Sequence, residues 1–189
     1  AVACGFNAEG GSRNFRFSTR DTHSELGGYL TVVRGDYPQD GFFLRAESFY
    51  NVASEVDDLD RIDDLLDSYG GVSLHKQSHG ESFLALVQNR FGGHGLYLLD
   101  EPEAALSPTR LMSLMILLRQ LTEKGSQFLL ATHSPILMAF PGARIYELSD
   151  TGIRQTAYRE TEHYRLTKRF LNDPESMLRE LFEDSDETN

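Results

Sequence analysis

The stretch Leu96-Tyr97-Leu98-Leu99-Asp100-Glu101-Pro102-Glu103 decides how this chain is read. Its apolar run reads as a short buried strand that ends in two adjacent carboxylates. Those acids therefore stand just past the C-terminal end of the strand, the edge of a parallel α/β sheet where ligands bind. At such a tip the first acid, Asp100, can hold a magnesium ion directly or through water. The second, Glu101, points elsewhere and can polarise an attacking water. A strand followed by a solvated acidic loop is the plainer alternative for the same residues.

Outward from this stretch the pattern alternates. Ser82 to Phe91 reads as a helix, stopped by Gly92-Gly93-His94-Gly95. After the acids, Pro108 sits where a helix accepts proline, in its first turn. Leu111, Leu114, Met115, Leu118 and Leu121 follow at steps of three and four, and Gly125 closes that helix. Gln127 to Thr132 is the next apolar strand. Strand, helix and strand at this spacing predict a right-handed βαβ crossover, and with it a parallel sheet buried on both faces. Gly41 to Ala46 reads as a further buried strand. Residues 53–68 place Val56, Leu59, Ile62, Leu65 and Leu66 at helical spacing among many Asp residues. A helix could begin near Thr22. Ala143 to Leu148 is a strand, Asp150-Thr151-Gly152 a turn and Ile153 to Tyr158 an antiparallel return. Two short helices, 162–171 and 174–183, complete the pattern. The class is α/β, a mainly parallel sheet flanked by helices.

Residues 1–40 are rich in Gly, Ser, Asn and Arg and read as irregular, with turns at Gly10-Gly11-Ser12 and Gly27-Gly28. The expected organisation is one domain over 1–183 and an acidic, solvated tail over 184–189.

Composition limits the function classes. The chain has 189 residues, 40% of them hydrophobic and 25% charged, the balance of a globular domain. Eighteen Lys and Arg against 29 Asp and Glu give a net charge of −11, which disfavours nucleic acid as a ligand of the chain alone. A lone cysteine, Cys4, excludes an internal disulfide and a multi-cysteine zinc site and fits a reducing cytoplasm. No run approaches the ~20 apolar residues needed to cross a bilayer, and the first residues do not form a secretory signal. A cytoplasmic protein with no membrane insertion is expected.

Three further elements lie at compatible spacings. Ser78-His79-Gly80-Glu81-Ser82 precedes the helix that leads into the acidic strand. Such a turn offers backbone N–H groups and a hydroxyl to a phosphate, although most such sequences are helix caps. Ala105-Leu106-Ser107-Pro108 links the acids to the next helix. Ala131-Thr132-His133-Ser134-Pro135 ends the neighbouring strand, so His133 is expected beside Asp100 and Glu101. A histidine at a strand end is otherwise most often a structural hydrogen-bonder.

In this order, Ser-His-Gly-Glu, Leu-Tyr-Leu-Leu-Asp-Glu-Pro-Glu, Ala-Leu-Ser-Pro and Ala-Thr-His-Ser-Pro resemble the ATP-binding-cassette class of P-loop ATPases. The chain is most similar there to the small stand-alone bacterial AAA-family predicted ATPases. The resemblance covers about residues 41–183. It implies that Gln77 to Glu81 is the signature motif, with Ser78, Gly80 and Glu81 reaching the nucleotide of a partner subunit. It implies Asp100 as the Walker B magnesium residue, Glu101 as the base that activates water, Ala104 to Ser107 as the D-loop and His133 as the switch histidine. ATP and magnesium are the implied cofactors. The implied assembly is a head-to-tail homodimer, and an effector protein remains open as a further partner.

The sequence departs from that pattern. His79 and Glu81 stand where transporter members have Gly and Gln. No glutamine occupies the Q-loop place at Ala46-Glu47-Ser48. There is no G-x-x-x-x-G-K-[ST]; Gly5-Phe6-Asn7-Ala8-Glu9-Gly10-Gly11-Ser12 puts Gly11 where lysine is required. Ala1 to Phe6 looks like the last turn of the helix that follows the phosphate loop, so the chain is expected to begin downstream of that loop. Because the loop supplies much of the triphosphate's binding, the 189 residues alone should bind ATP feebly and hydrolyse it little or not at all.

Two other readings stand beside a nucleotide hydrolase. One is a non-catalytic interaction module derived from an ATPase. The other is a metal-dependent nuclease using Asp100, Glu101 and Glu103, ranked last because no second acidic strand tip completes a metal pair. His75 and His79 share a helical spacing, but Lys76 stands where a zinc protease needs glutamate. Arg13, Phe15, Arg16, Phe17 and Arg20 interleave cations and aromatics, yet Asp21 and Glu25 follow at once and favour a solvated loop.

Overall fold

Two parallel strand pairs organise the chain. In the computed structural model, which describes residues 1–12, 25–33, 35–54, 73, 75 and 77–186, β2 (Asp40–Arg45) pairs in parallel with β3 (Gly95–Asp100). In turn β3 pairs in parallel with β4 (Gln127–Ala131). A two-residue strand, β1 (Gly11–Ser12), adds antiparallel to β2, giving the sheet order β1-β2-β3-β4. The protein is thus mixed α/β, with a mostly parallel four-stranded sheet flanked by helices. It divides into two compact units, Ala1–Thr132 and His133–Asn189.

The first unit holds α1 (His79–Arg90) and α2 (Pro108–Glu123), which pack against each other. Ser107 caps α2 and Pro108 opens it. Leu111, Leu114, Leu118 and Leu121 face inward and are buried, each worth roughly 1.5–3 kcal/mol of transfer from water. Gly125, at φ 81°, takes the left-handed conformation that ends the helix cheaply. Met112, by contrast, is exposed.

Register sorts the core into two faces. Phe42, Tyr97 and Phe128 are partners across three strands, with Phe91 stacked on Tyr97 at 4.1 Å between ring centroids. Leu44 and Leu99 continue this face, and Phe83, Leu86 and Val87 of α1 are buried with them. On the other face Phe43 and Leu98 join Phe6, with Ala1, Cys4 and Leu96 packed around them. This cover does not extend to β4, where Leu129 is 64% exposed. Burial on both faces therefore holds for β2 and β3 but not for β4, an edge strand whose outer side pairs with no described strand.

Other boundaries differ for local reasons. Helix α1 starts three residues before the expected Ser82, because Ser78 and Glu81 form a capping box around its first turn. Gly11 and Ser12, expected in a turn, form β1. Val2–Cys4 is a 3₁₀ turn closed by Gly5 at φ 86°. Of the helix expected over 53–68 only 53 and 54 are described, as the end of a helical segment at 49–54. The rest of it, the start near Thr22 and the Arg13–Arg20 cluster lie outside the described residues.

The second unit contains α3 (Pro135–Met138), the hairpin β5 (Ile145–Ser149) and β6 (Gly152–Thr156), then α4 (Glu162–Asn172) and α5 (Pro174–Asp186). The hairpin and the last two helices match the sequence pattern to within a few residues, whereas the short α3 was not expected. Among the described residues no helix is long and apolar enough to cross a membrane.

A polar cluster locks the N-terminal ends of β2 and β3. The Tyr97 hydroxyl lies 2.9 Å from Asp40 Oδ2 and 3.1 Å from the Gly92 carbonyl oxygen, two acceptors for its one proton, and accepts from the Gly92 N–H at 2.6 Å. Arg90 Nη1 adds a 2.7 Å ion pair to Asp40 Oδ2. Burial alone would raise the Asp40 carboxyl pKa; the Arg90 hydrogen bond and charge, with Tyr97 and the Gly41 N–H, outweigh it and hold it below its ordinary value. Burial pushes the Tyr97 phenol up. Tyr97→Phe strands these partners and should cost about 1–3 kcal/mol in urea unfolding. The Asp40 contribution is full above the ordinary carboxyl value of 3.8 and disappears as pH falls through the lower folded value. The stability gap between wild type and Asp40→Asn should therefore narrow over that acid window.

Candidate functional site

The C-terminal ends of β2, β3 and β4 lie side by side, with Arg45 and Ala131 as the register partners of Asp100. The Asp100 carboxylate, 36% exposed, accepts a 3.1 Å hydrogen bond from Arg45 Nε through Oδ2. Arg45 Nη2 also reaches Glu47 Oε2 at 3.1 Å. The tip thus holds an acid–base–acid row, and Arg45 is a site residue that the sequence reading did not pick out. Its signal was its place at the end of the strand next to the acidic one.

Glu101 leaves the sheet abruptly. Its N–H donates to the Ala131 carbonyl at 2.9 Å, and its backbone adopts φ 48°, ψ 50°. A non-glycine residue in this left-handed region carries roughly 1–3 kcal/mol of strain, and such strain collects at functional sites. Pro102 is buried and starts the 3₁₀ turn Pro102–Ala104, from which Ala105, Leu106 and Ser107 lead into α2.

At the start of α1, Glu81 Oε2 accepts from the Ser78 N–H at 3.1 Å and the Ser78 hydroxyl at 2.6 Å. Its Oε1 accepts from Arg110 Nη2 at 3.0 Å, while Arg110 Nη1 lies 3.3 Å from Ser78 Oγ. The Ser78 hydroxyl and N–H, and then Arg110, hold the Glu81 carboxyl below its ordinary range. Ser107 Oγ accepts from the Arg110 N–H at 3.4 Å. Gly80 is buried where a Cβ would come within 2.5 Å of Arg110 Nη1 and 3.1 Å of the Ala105 carbonyl. Four predicted residues, Ser78, Gly80, Glu81 and Ser107, are therefore brought together around a fifth, Arg110. The sequence placed it inconspicuously, three residues after the Ser107 cap.

His133 opens the second unit, two residues beyond the end of β4. Its Nδ1 lies 3.0 Å from Nε2 of His163, and the two rings are 5.1 Å apart. His163 was not anticipated either; it is separated from His133 by 30 positions and belongs to no motif.

His75 stacks near Tyr50 and bonds Ser54 Oγ at 3.2 Å, whereas His79 packs on Phe49. Among the described residues no group of three or more His, Cys, Asp and Glu is assembled that could hold a metal ion. Asp100 alone fits a magnesium that arrives with its nucleotide, since that ion commonly keeps water and phosphate oxygens around one or two carboxylates.

Residues 52–139 match the family described as "AAA domain, putative AbiEii toxin, Type IV TA system". That match, over a little under half of the chain, supports a P-loop ATPase of the AAA type and a nucleotide-binding function. No curated protein and no solved structure matches the chain.

The contact at Gly80 gives a direct check. Gly80→Ala should destabilise by about 1–3 kcal/mol through overpacking. Removing the flexible offender in Gly80→Ala/Arg110→Ala should recover part of that loss, so the double-mutant cycle in urea unfolding should be clearly non-additive.

Proposed function

We propose that this chain carries the hydrolytic edge of an ATP-binding-cassette-type ATPase. The observation that carries the proposal is the end of β3: Asp100 at the tip of a central parallel strand, followed by Glu101 twisted out of the sheet. In this reading Asp100 is the Walker B carboxylate that holds magnesium with the nucleotide, and Glu101 is the base that takes a proton from the attacking water. His133 senses the terminal phosphate. Ser78, Gly80 and Glu81 form the signature surface offered to a second subunit's nucleotide, and Ser107 belongs to the D-loop between them. Bound magnesium would neutralise charge on the phosphate oxygens; the side chains position the water and the phosphate. A head-to-tail homodimer follows from the signature's service to a neighbour. The matched family's description suggests a toxin–antitoxin system as one setting.

Residues 1–189 lack the lysine-bearing phosphate loop, so weak nucleotide affinity and little turnover belong to the proposal. The outer edge of β4, which pairs with no described strand and carries an exposed Leu129, supports completion of the sheet by a further strand. A cytoplasmic location also belongs to this reading.

The second reading, a non-catalytic interaction module, is favoured by the Arg45–Asp100 pair, which already engages the proposed metal carboxylate. Magnesium-dependent binding of ATP separates the two. Calorimetry on the 189-residue chain should show weak binding that requires magnesium and falls about tenfold or more in Asp100→Ala, the loss of one charged ligand. In a longer form carrying a phosphate loop, Glu101→Gln should keep binding and lower turnover by about 100-fold or more. Absence of magnesium-dependent binding in both forms would leave the interaction module as the surviving reading.

A further inference from the structure

One cavity in the second unit collects positive charge on a chain that is otherwise acidic. Its volume of about 560 Å³ is that of a small-ligand site, and it is lined by the 3₁₀ turn Tyr158–Glu160 and one face of α4. Arg165, Lys168, Arg169 and Asn172 stand at helical steps that place them on a single stripe about 10 Å long. Arg159 joins them from the turn. Tyr164 adds a half-buried aromatic wall, with Lys168 Nζ 5.5 Å from its ring centre and the Tyr158 ring packed on it at 4.7 Å. The backbone beneath is fixed. Thr161, only 1% exposed, caps α4 by accepting from the Tyr164 N–H at 3.3 Å, and Glu147 Oε1 of β5 accepts the Glu162 N–H at 3.2 Å.

The cations of this cavity are unlike most others in the chain. Arg45, Arg90, Arg110, Arg119 and Arg154 each pair with an acid, and Arg169 Nη2 is held by both oxygens of Glu180 at 2.6 and 2.5 Å. Among the described residues the side chains of Arg159, Arg165 and Lys168 make no ion pair or hydrogen bond. Glu160 lines the same cavity and pairs with none of them. Acids are not scarce, since 29 are present for 18 Lys and Arg. Like charges three and four positions apart on a helix also repel, so the bare stripe weakens α4 unless an anion lies along it.

We propose that this cavity binds a compact polyphosphate group, two or three linked phosphates. None of the residues assigned to ATP hydrolysis lines it, and the inference does not rest on that assignment. Guanidinium forks match phosphate oxygens in shape, and the lysine adds a point charge. Four cations and one carboxylate line the cavity, so a lone carboxylate or single phosphate would leave positive charge over. Linked phosphates concentrate several charges within the length of the stripe. A nucleic-acid strand spreads its charge along a backbone that would run on over a chain of net charge −11. For a short ligand the nearby cations dominate, because salt screens the more distant acids beyond about 8 Å.

The test is calorimetry and ¹H–¹⁵N spectroscopy on the 189-residue chain with sodium tripolyphosphate, without magnesium or nucleotide. Saturable binding is expected, with amide shifts concentrated in residues 158–172. Arg159→Gln, Arg165→Gln and Lys168→Gln should each weaken it by about tenfold, the loss of one charge-assisted contact. Arg144→Gln and Arg179→Gln remove the same charge elsewhere in the unit and should leave affinity unchanged. If a variant fails to fold, the wild-type shift map and the remaining variants still decide. Magnesium-free ATP that binds at these residues as tightly as tripolyphosphate would name a nucleotide's phosphate tail as the source; weaker ATP would name a free polyphosphate, and both support the site. Lack of saturable binding, shifts lying elsewhere, or equal losses in Arg144→Gln and Arg179→Gln would overturn it. Tighter binding of a single-stranded oligonucleotide or of a polyglutamate peptide than of tripolyphosphate would overturn it as well.

Discussion

Parallel register between β2, β3 and β4 is the constraint on which the rest of the first unit depends. It aligns Arg45, Asp100 and Ala131 at one end and Asp40 with Gly95 at the other. A slip of one residue would exchange the faces of every side chain on a strand, moving Phe42 and Tyr97 off the aromatic cluster and Asp100 away from Arg45. The same register lets the Ala131 carbonyl receive the Glu101 N–H, the bond that holds the chain as it turns out of the sheet. The geometry of the acidic pair is therefore a consequence of core packing several residues away.

The two ends of the sheet use polar groups differently. At the N-terminal ends, Tyr97, Asp40 and Arg90 lie partly or wholly out of water, and the Tyr97 ring is itself core. Their satisfaction matters because an unmade bond there costs more than a made one gains. At the C-terminal ends, Asp100, Glu101 and Arg45 remain accessible. One end carries buried polar structure and the other is solvent-accessible, at the edge where parallel sheets generally bind ligands.

Much of this was legible in the sequence because strong local signals agreed with one another. Apolar runs between glycines gave β3 and β4, Pro108 and Gly125 bracketed α2, and the turn at Asp150-Thr151-Gly152 separated β5 from β6. Less legible were features that depend on two distant segments meeting. Gly11 and Ser12 become strand only because β2 offers an edge to pair with. Arg45, Arg110 and His163 carry no motif; each matters through a partner 55, 29 and 30 positions away, respectively. The exposure of Leu129 was hidden for the same reason, since an apolar strand looks alike whether or not its neighbours cover it.

The Arg45–Asp100 pair bears on both functional readings, and magnitudes help to weigh it. Both side chains are about one-third exposed, so the pair belongs with partly solvated ion pairs, which contribute on the order of 0–1 kcal/mol. A divalent ion bridging a carboxylate and phosphate oxygens would be the largest local charge at the site and need displace only that small increment. Arg45 therefore does not close the strand tip to a metal–nucleotide complex. In the structure Arg45 is paired with Glu47 as well as Asp100, so its guanidinium would keep an acidic partner if Asp100 were engaged by a cation. An ion pair that at first sight favours a purely structural role is thus equally compatible with a site that waits for its cation.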